Sequence, residues 1–275
     1  MKLTDELFAR GVNQEDIFSV IDDDYVLLKK SMPCKDHELA EYISSIERAH
    51  NDGINTPRIT DYRFIEGKTS TFGPENDRYS YTTGVFIEER AKGKCIGSKG
   101  YVNYRNKDDY YFYLNEIKEY IEELTNRACA PQEVYDKFVD DYIKLSEYGL
   151  NPDPKPLNFF FSKDTGFTII DVIDVRDESL VYVPRYIFMG VVGYGIPRLL
   201  DADWQNISFI PQSLYDIYVD AQNKVVDKVL RALKSKNIDE EYIKNGLYST
   251  KVNSDFKGEV IPDDLLEEYI NSKQR

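Results

Sequence analysis

The order of sequence patterns along this chain of 275 residues predicts an α+β fold with two lobes. Short runs rich in branched and aromatic residues dominate residues 1–90, which is typical of strands. Helical spacing of apolar residues dominates the part after residue 99. Between them, residues 91–98 (AKGKCIGS) are small, polar and glycine-containing, as in a linker. We therefore expect a small antiparallel-sheet N-lobe, a hinge at 91–98 and a larger helical C-lobe at 99–275.

The N-lobe is predicted to contain a hairpin, one helix and two further strands. The hairpin is indicated by two β-type runs around the acidic turn 22–24. The helix is indicated by Leu39, Ile43 and Ile46, which recur at helical spacing. The predicted bounds are 17–21 and 25–29 for the hairpin strands, 36–50 for the helix, and 58–65 and 82–89 for the later strands.

The C-lobe is predicted to be mostly helical, with one short hairpin near its middle. Two helical patterns come first, and Gly149 ends the second of them. Two apolar runs then flank the sequence SKDTG, which is a turn signal. The predicted bounds are 110–128 and 132–148 for these helices, 159–161 and 167–173 for the strands, and 211–236, 239–247 and 262–272 for the later helices.

Charge and cysteine content exclude several classes of protein. Asp and Glu number 49 and Lys and Arg 35, so the net charge is −14. This acidity excludes a broad nucleic-acid surface and an anionic membrane as main partners, but it allows a small anionic ligand held by a few local cations. Cys34, Cys95 and Cys129 are far apart, which argues against a disulfide scaffold or a cysteine-rich zinc site. We find no signal peptide or transmembrane pattern and expect a cytoplasmic location.

Residues 149–174 (GLNPDPKPLNFFFSKDTGFTIIDVID) contain the pattern that points to chemistry. Asn158 follows Asp153 by five residues, and Asp171 follows Asn158 by thirteen. The segment resembles the catalytic loop of the protein-kinase-like superfamily, H-R-D-L-K-P-x-N, followed by the aspartate of D-F-G. Asp153, Lys155, Pro156 and Asn158 match the fixed positions of that loop. The alternative is a purely structural role, in which NPDPKP is only a rigid surface turn and Asp171 caps a strand end.

The resemblance implies a bilobal kinase-like fold and an ATP- and Mg²⁺-dependent phosphotransferase. Asp153 would orient the acceptor hydroxyl and take its proton, while Lys155 would contact the transferred phosphate. Asn158 and Asp171 would be the Mg²⁺ ligands, since amide and carboxylate oxygens suit this hard cation. The acceptor, a hydroxyl of a protein or a small molecule, has no motif in the sequence.

The resemblance also implies that residues 1–90 bind the nucleotide. YVLLKK ends in two lysines, either of which could hold the phosphates. We prefer Lys29, because strand alternation then places Leu28 on the buried face. Its glutamate partner would come from the following helix, with Glu38 and Glu41 as candidates and Glu47 as a weaker one. Gly11 is the only glycine where the family has its glycine-rich phosphate loop, and we take it as the candidate for that role.

Several departures from the family pattern favour an alternative function. Asn151 replaces the catalytic-loop histidine, D-F-G reads DVI, and no A-P-E follows. Weak glycine loops occur in the aminoglycoside- and choline-kinase-like branches, so the chain resembles those or a divergent bacterial kinase-like group. The alternative is a pseudokinase, a nucleotide-binding or scaffold module without turnover. Asp174 is either a second metal neighbour or a helix N-cap, and we favour the cap.

Overall fold

The computed structural model describes most of the chain. The described residues are 1–32, 36–72, 79–96, 101–103, 107–172, 182–200, 206–249 and 258–273. Within these ranges, only the backbone is described for 31, 32, 36–39, 66–72, 79–82, 101–103, 200, 206, 207 and 249. Cys34, Asp174 and Trp204 lie outside the described residues, and so do the side chains of His37 and Glu38.

The chain divides into two compact units. The first comprises Met1–Lys92, Ile143–Pro152 and Thr168–Arg176, and the second comprises Gly93–Tyr142, Asp153–Phe167 and Asp177–Arg275. The first change of unit, between Lys92 and Gly93, falls within the predicted hinge at 91–98. The later segments of the first unit mean that neither unit is a single continuous stretch of sequence.

The first unit holds the elements of the N-terminal part. They are α1 (Asp5–Asn13), β1 (Phe18–Val20), β2 (Tyr25–Met32), α2 (Asp36–Asn51), β3 (Ile59–Phe72) and β4 (Tyr79–Glu89). The four strands form an antiparallel sheet in the order β1-β2-β4-β3. In the described part of this unit the predicted hairpin, helix and later strands are confirmed, and the α+β class is confirmed with them.

One face of this sheet is covered by helix α1. The helix is capped by Thr4, whose hydroxyl accepts a hydrogen bond from the Leu7 amide at 3.2 Å. Leu27 and Val85 form a buried core on this face, and the apolar side chains of α1 pack against them. Alternation along β2 therefore places Leu27 and Lys29 on the covered face, and Leu28 and Lys30 on the other.

Gly11 was expected to lie in a phosphate-binding loop, but it lies in a helix, so this expectation is wrong. Gly11 is a buried residue within helix α1 and lies directly against the side chain of Val85. A Cβ atom at this position would collide with that side chain. Gly11 is therefore needed for the close approach of α1 to β4.

Lys29 caps the C-terminal end of α1. Its ammonium group donates hydrogen bonds to the carbonyl oxygens of Val12, at 2.8 Å, and Gln14, at 3.1 Å. We expect Lys29→Met to lower the free energy of unfolding by about 1–2 kcal/mol, because these carbonyls lose a charged donor at the negative end of the helix dipole. Urea denaturation followed by circular dichroism measures the loss.

The control is Lys92→Met, since Lys92 forms an exposed ion pair with Asp24 at 2.9 Å. Exposed pairs of this kind contribute well under about 1 kcal/mol, so the control should unfold close to the wild type. Equal losses in the Lys29 and Lys92 variants would contradict a capping role for Lys29.

The second unit holds the elements of the helical part. They are β5 (Lys94–Cys95), β6 (Tyr101–Asn103), α3 (Lys107–Cys129), α4 (Gln132–Leu145), β7 (Phe159–Ser162), β8 (Gly166–Ile169), α5 (Val183–Val192), β9 (Arg198–Leu200), β10 (Asn206–Ile207), β11 (Phe209–Pro211), α6 (Gln212–Ser235), α7 (Glu240–Ser249), β12 (Glu259–Ile261) and α8 (Leu266–Ser272). The last residues of α4 and β8 belong to the first unit. Helices α3 and α6 pack together, as do α5 and α7. The predicted helices and the hairpin are confirmed, although the second hairpin strand ends at Ile169 and not at 173.

A buried arginine joins several elements of the second unit. Arg127, on α3, donates hydrogen bonds to the carbonyl oxygens of Gly190 at 2.8 Å, Val191 at 2.9 Å, Phe159 at 3.0 Å and Lys94 at 3.4 Å. These carbonyls lie on or next to α5, β7 and β5. Burial lowers the pKa of Arg127 to about 10, so the guanidinium is charged at neutral pH. This one side chain therefore satisfies carbonyls from three elements.

Among the described helices, none combines the length and the apolar character needed to cross a membrane.

Candidate active site

The predicted catalytic segment is an extended, proline-rich stretch that ends in a short turn. Asp153 is buried, with 6% of its surface exposed, and Lys155 is exposed. Pro156 begins a 3₁₀ turn that ends at Asn158, and the Asn158 amide donates to the Lys155 carbonyl at 2.9 Å. Proline fixes its own φ and restricts the residue before it, so the segment is held in one conformation.

Side-chain contacts join the three predicted polar residues of this segment, all of which lie in the second unit. The Lys155 ammonium group is 2.5 Å from Oδ2 of Asp153. The side-chain amide of Asn158 donates through Nδ2 to the backbone carbonyl of Asp153 at 3.1 Å. With Nδ2 engaged in this way, Oδ1 of Asn158 is the atom of that amide able to bind a cation.

The hairpin that follows is anchored by aromatic packing. Phe159, directly after Asn158, packs edge-on against Phe138 with ring centroids 5.8 Å apart. Phe167, on β8, packs against Phe138 at 4.6 Å and Phe161 at 5.0 Å. These rings fix the start of β7 and therefore the position of Asn158 within the second unit.

Asp171 lies in the first unit, two residues after β8. Its backbone adopts φ 52°, a left-handed conformation that aspartate tolerates better than most residues. Its Oδ1 forms an ion pair with the ammonium group of Lys30, on β2. Both side chains are about one third exposed, at 33% for Asp171 and 27% for Lys30. The residues of this pair are 141 positions apart in the sequence.

The structure brings Lys30, and not Lys29, to Asp171. The preference for Lys29 assumed that Leu28 lies on the buried face of β2, and this assumption is wrong. Leu27 is fully buried, because α1 covers its face of the sheet, whereas Leu28 is half-buried. Lys29 consequently contacts the end of α1, and Lys30 lies on the opposite face of the sheet.

Glu88 is a residue that the sequence interpretation did not identify. It lies on β4 opposite Val26, and Lys30 lies on β2 opposite Gly84, so both side chains belong to the same face of the sheet. Burial raises the pKa of Glu88 to about 7, while the charge of Lys30 lowers it in part and that of Glu89 raises it. The carboxyl group of Glu88, on the same face of the sheet as Lys30, therefore titrates near neutral pH.

The described contacts of Lys29 and Lys30 do not test which glutamate of α2 pairs with the phosphate-binding lysine. Glu41 and Glu47 are exposed on α2, and neither occurs in the ion pairs of the described residues. The side chain of Glu38 lies outside the described residues. The choice of a helix glutamate stays a prediction.

Asn158, in the second unit, and Asp171, in the first, each have donor chemistry that suits a Mg²⁺ ion. Asn158 offers an amide oxygen and Asp171 a carboxylate, both of which are hard oxygen donors. Within the described part of the chain, no group of three or more His, Cys, Asp or Glu side chains is arranged to hold a metal ion. Mg²⁺ in phosphoryl-transfer enzymes is bound through one or two carboxylates, substrate phosphates and water.

Comparison with known proteins yields distant similarity to solved structures and no match in sequence. No family model matches this chain, and no curated protein sequence matches it. Among solved structures, the chain is similar to the ROP18 kinase domain, which was determined in complex with AMP-PNP and sucrose. The match has 13% identity and a TM-score of 0.32, and it covers 82% of this chain and 74% of the other. A TM-score this low supports no conclusion about function.

Proposed function

We propose that this chain is a kinase-like phosphotransferase that moves the γ-phosphoryl group of ATP to a hydroxyl group, with Mg²⁺ bound. The observation that carries the proposal is the ion pair between Lys30 and Asp171. Asp171 is the aspartate whose spacing from Asn158 resembles that of the family's metal ligand. The ion pair supports the proposal, because in that family a lysine of the N-terminal sheet holds the phosphates close to the aspartate that binds the metal.

Asp153 is assigned the role of general base. As the acceptor oxygen forms its bond to the γ-phosphorus, the hydroxyl proton passes to the Asp153 carboxylate, and the bond between the γ-phosphorus and the bridging oxygen breaks to release ADP. Lys155, whose ammonium group is 2.5 Å from Asp153, supplies a positive charge for the transferred phosphoryl oxygens. The side chain of Lys155 is 56% exposed, so its ammonium group can move toward a phosphate while Asp153 stays buried.

Lys30 is assigned the role of phosphate clamp in the first unit. Its side chain lies on the face of the sheet opposite α1, and its ammonium group is oriented by Asp171. Asn158 and Asp171 would each offer an oxygen ligand to Mg²⁺, which would supply positive charge to offset that of the nucleotide phosphates. With a nucleotide bound, the ammonium group of Lys30 would contact the phosphates directly.

The test is release of ADP from Mg²⁺–ATP, with autophosphorylation as a second readout, in wild type, Asp171→Asn and Lys30→Met. We expect each variant to lose about 100-fold or more in turnover, because the site loses a metal ligand or a phosphate charge. Lys29→Met is the matched control, since it removes the neighbouring lysine from the covered face and should keep its activity. Wild-type turnover retained in the Asp171 variant would contradict the proposal.

A nucleotide-binding module without turnover is the second candidate function. Helix α1 favours it, because this helix occupies the region where kinases have a glycine-rich phosphate loop. A thermal shift with Mg²⁺–ATP separates the two candidates. A shift without turnover indicates the binding module, whereas no shift and no turnover would indicate a scaffold.

A further inference from the structure

The face of the sheet opposite α1 carries exposed apolar side chains on β1 together with two ionisable groups, Lys30 and Glu88. The cross-strand pairs Phe18–Leu28, Val20–Val26 and Val26–Glu88 place these side chains on the same face as Lys30. Phe18 is 57% exposed and Val20 45%, although both are apolar. Exposed apolar side chains next to a lysine form a surface suited to a ligand with a flat ring and an anionic group.

The two charged groups lie at different positions along this face. Val26 is opposite Glu88, and Lys30 is four residues farther along β2. Four residues of strand span about 13 Å, which is comparable to the separation of the base and the β-phosphate in an extended nucleotide. A nucleotide with its phosphates at Lys30 would therefore place its base beside Val26 and Glu88.

Glu88 can distinguish nucleobases by the hydrogen bonds of their edges. An ionised carboxylate only accepts hydrogen bonds. Guanine offers two adjacent donors, N1–H and the 2-amino group, which can pair with both carboxylate oxygens. Adenine offers one amino group with a ring acceptor beside it, and this acceptor repels a carboxylate. We propose that Glu88 selects the base of the bound nucleotide and favours guanine over adenine.

The proposal rests on the proposed phosphotransferase function and replaces ATP with GTP as the preferred phosphoryl donor. The ionisation of Glu88 supports it only in part, since the pKa near 7 leaves the group half-protonated at neutral pH. A carboxylate–base pair with two hydrogen bonds discriminates by about 1–3 kcal/mol, which corresponds to between about fivefold and about 150-fold in affinity.

Isothermal titration calorimetry with Mg²⁺ at pH 8.5, where Glu88 is mostly ionised, tests the proposal. We expect wild type to bind GTP at least about fivefold more tightly than ATP. Inosine triphosphate keeps N1–H and lacks the 2-amino group, so its affinity should lie between the two. This part of the test uses wild-type protein alone and does not depend on the folding of any variant.

Variants then assign the preference to one side chain. Glu88→Gln should reduce the difference between GTP and ATP to about threefold or less, because a carboxamide can pair with either base. Glu89→Gln is the matched control, since Glu89 is opposite Tyr25 and lies on the other face of the sheet. It should keep the wild-type preference.

The outcomes separate this inference from the proposed function. Equal binding of GTP and ATP to wild type, or a GTP preference that survives in Glu88→Gln, overturns the selection by Glu88 and leaves nucleotide binding intact. Failure of all three nucleotides to bind wild type overturns both proposals. A graded order of GTP, inosine triphosphate and ATP that is lost in Glu88→Gln supports the inference.

Discussion

Arg127→Met is expected to lower the free energy of unfolding by about 3–5 kcal/mol, a large part of the stability of an ordinary domain. Arg127 is fully buried and donates to four carbonyl oxygens. Methionine fills much of the same space but donates no hydrogen bond. Each buried carbonyl left without a donor costs about 1–3 kcal/mol, and part of this cost is relieved by relaxation of the structure. The guanidinium also lies 5.3 Å from the ring centroid of Phe167, a contact that methionine replaces only partly.

Urea denaturation of wild type and the variant measures this loss. Arg231→Met is the control, because Arg231 is exposed on α6 in the same unit and its replacement should change the stability by less than about 0.5 kcal/mol. If Arg127→Met unfolds at the same urea concentration as Arg231→Met, the hydrogen bonds of Arg127 do not contribute about 3–5 kcal/mol to the free energy of unfolding. A protein that fails to fold at all agrees with the expectation.

The importance of Arg127 could not be predicted from the sequence. It is one of many charged residues in the helical pattern of α3, and charged residues of helices are usually exposed. Its burial depends on carbonyls of β5, β7 and α5 that are distant in sequence. Local patterns carry no information about such contacts.

Unlike the role of Arg127, the grouping of Asp153, Lys155 and Asn158 could be predicted from the sequence, because the three residues lie within six positions of one another. Prolines limit the conformations of that stretch, so residue spacing alone indicates which side chains are close. The structure joins these three residues by direct contacts, while their catalytic roles stay predictions.

The choice between Lys29 and Lys30 shows where local reasoning fails. Strand alternation correctly separates the two lysines onto opposite faces, but it does not say which face is covered. The covering element is α1, a helix of nine residues that contains Gly11 and was not predicted. Glycine lowers helix propensity by about 1 kcal/mol, so the sequence disfavours the helix that tertiary packing stabilises.

Asp153→Asn is expected to reduce phosphoryl transfer by about 100-fold or more, while leaving nucleotide binding and stability near the wild-type values. The change removes the negative charge and the proton acceptor but keeps the size of the side chain. It also keeps the hydrogen bond from Asn158, because that bond is accepted by the backbone carbonyl of Asp153. The proline-rich turn should therefore be retained, and a fall in turnover can be assigned to the missing carboxylate.

The measurement is turnover of Mg²⁺–ATP beside a nucleotide thermal shift on the same samples. Asp164→Asn is the matched control, since Asp164 is an exposed aspartate in the turn between β7 and β8 and should keep full activity. A thermal shift equal to that of wild type with turnover lost identifies Asp153 as the group that takes the proton. Turnover equal to that of Asp164→Asn would contradict this role, because a general base cannot be replaced by a neutral amide that accepts no proton at neutral pH.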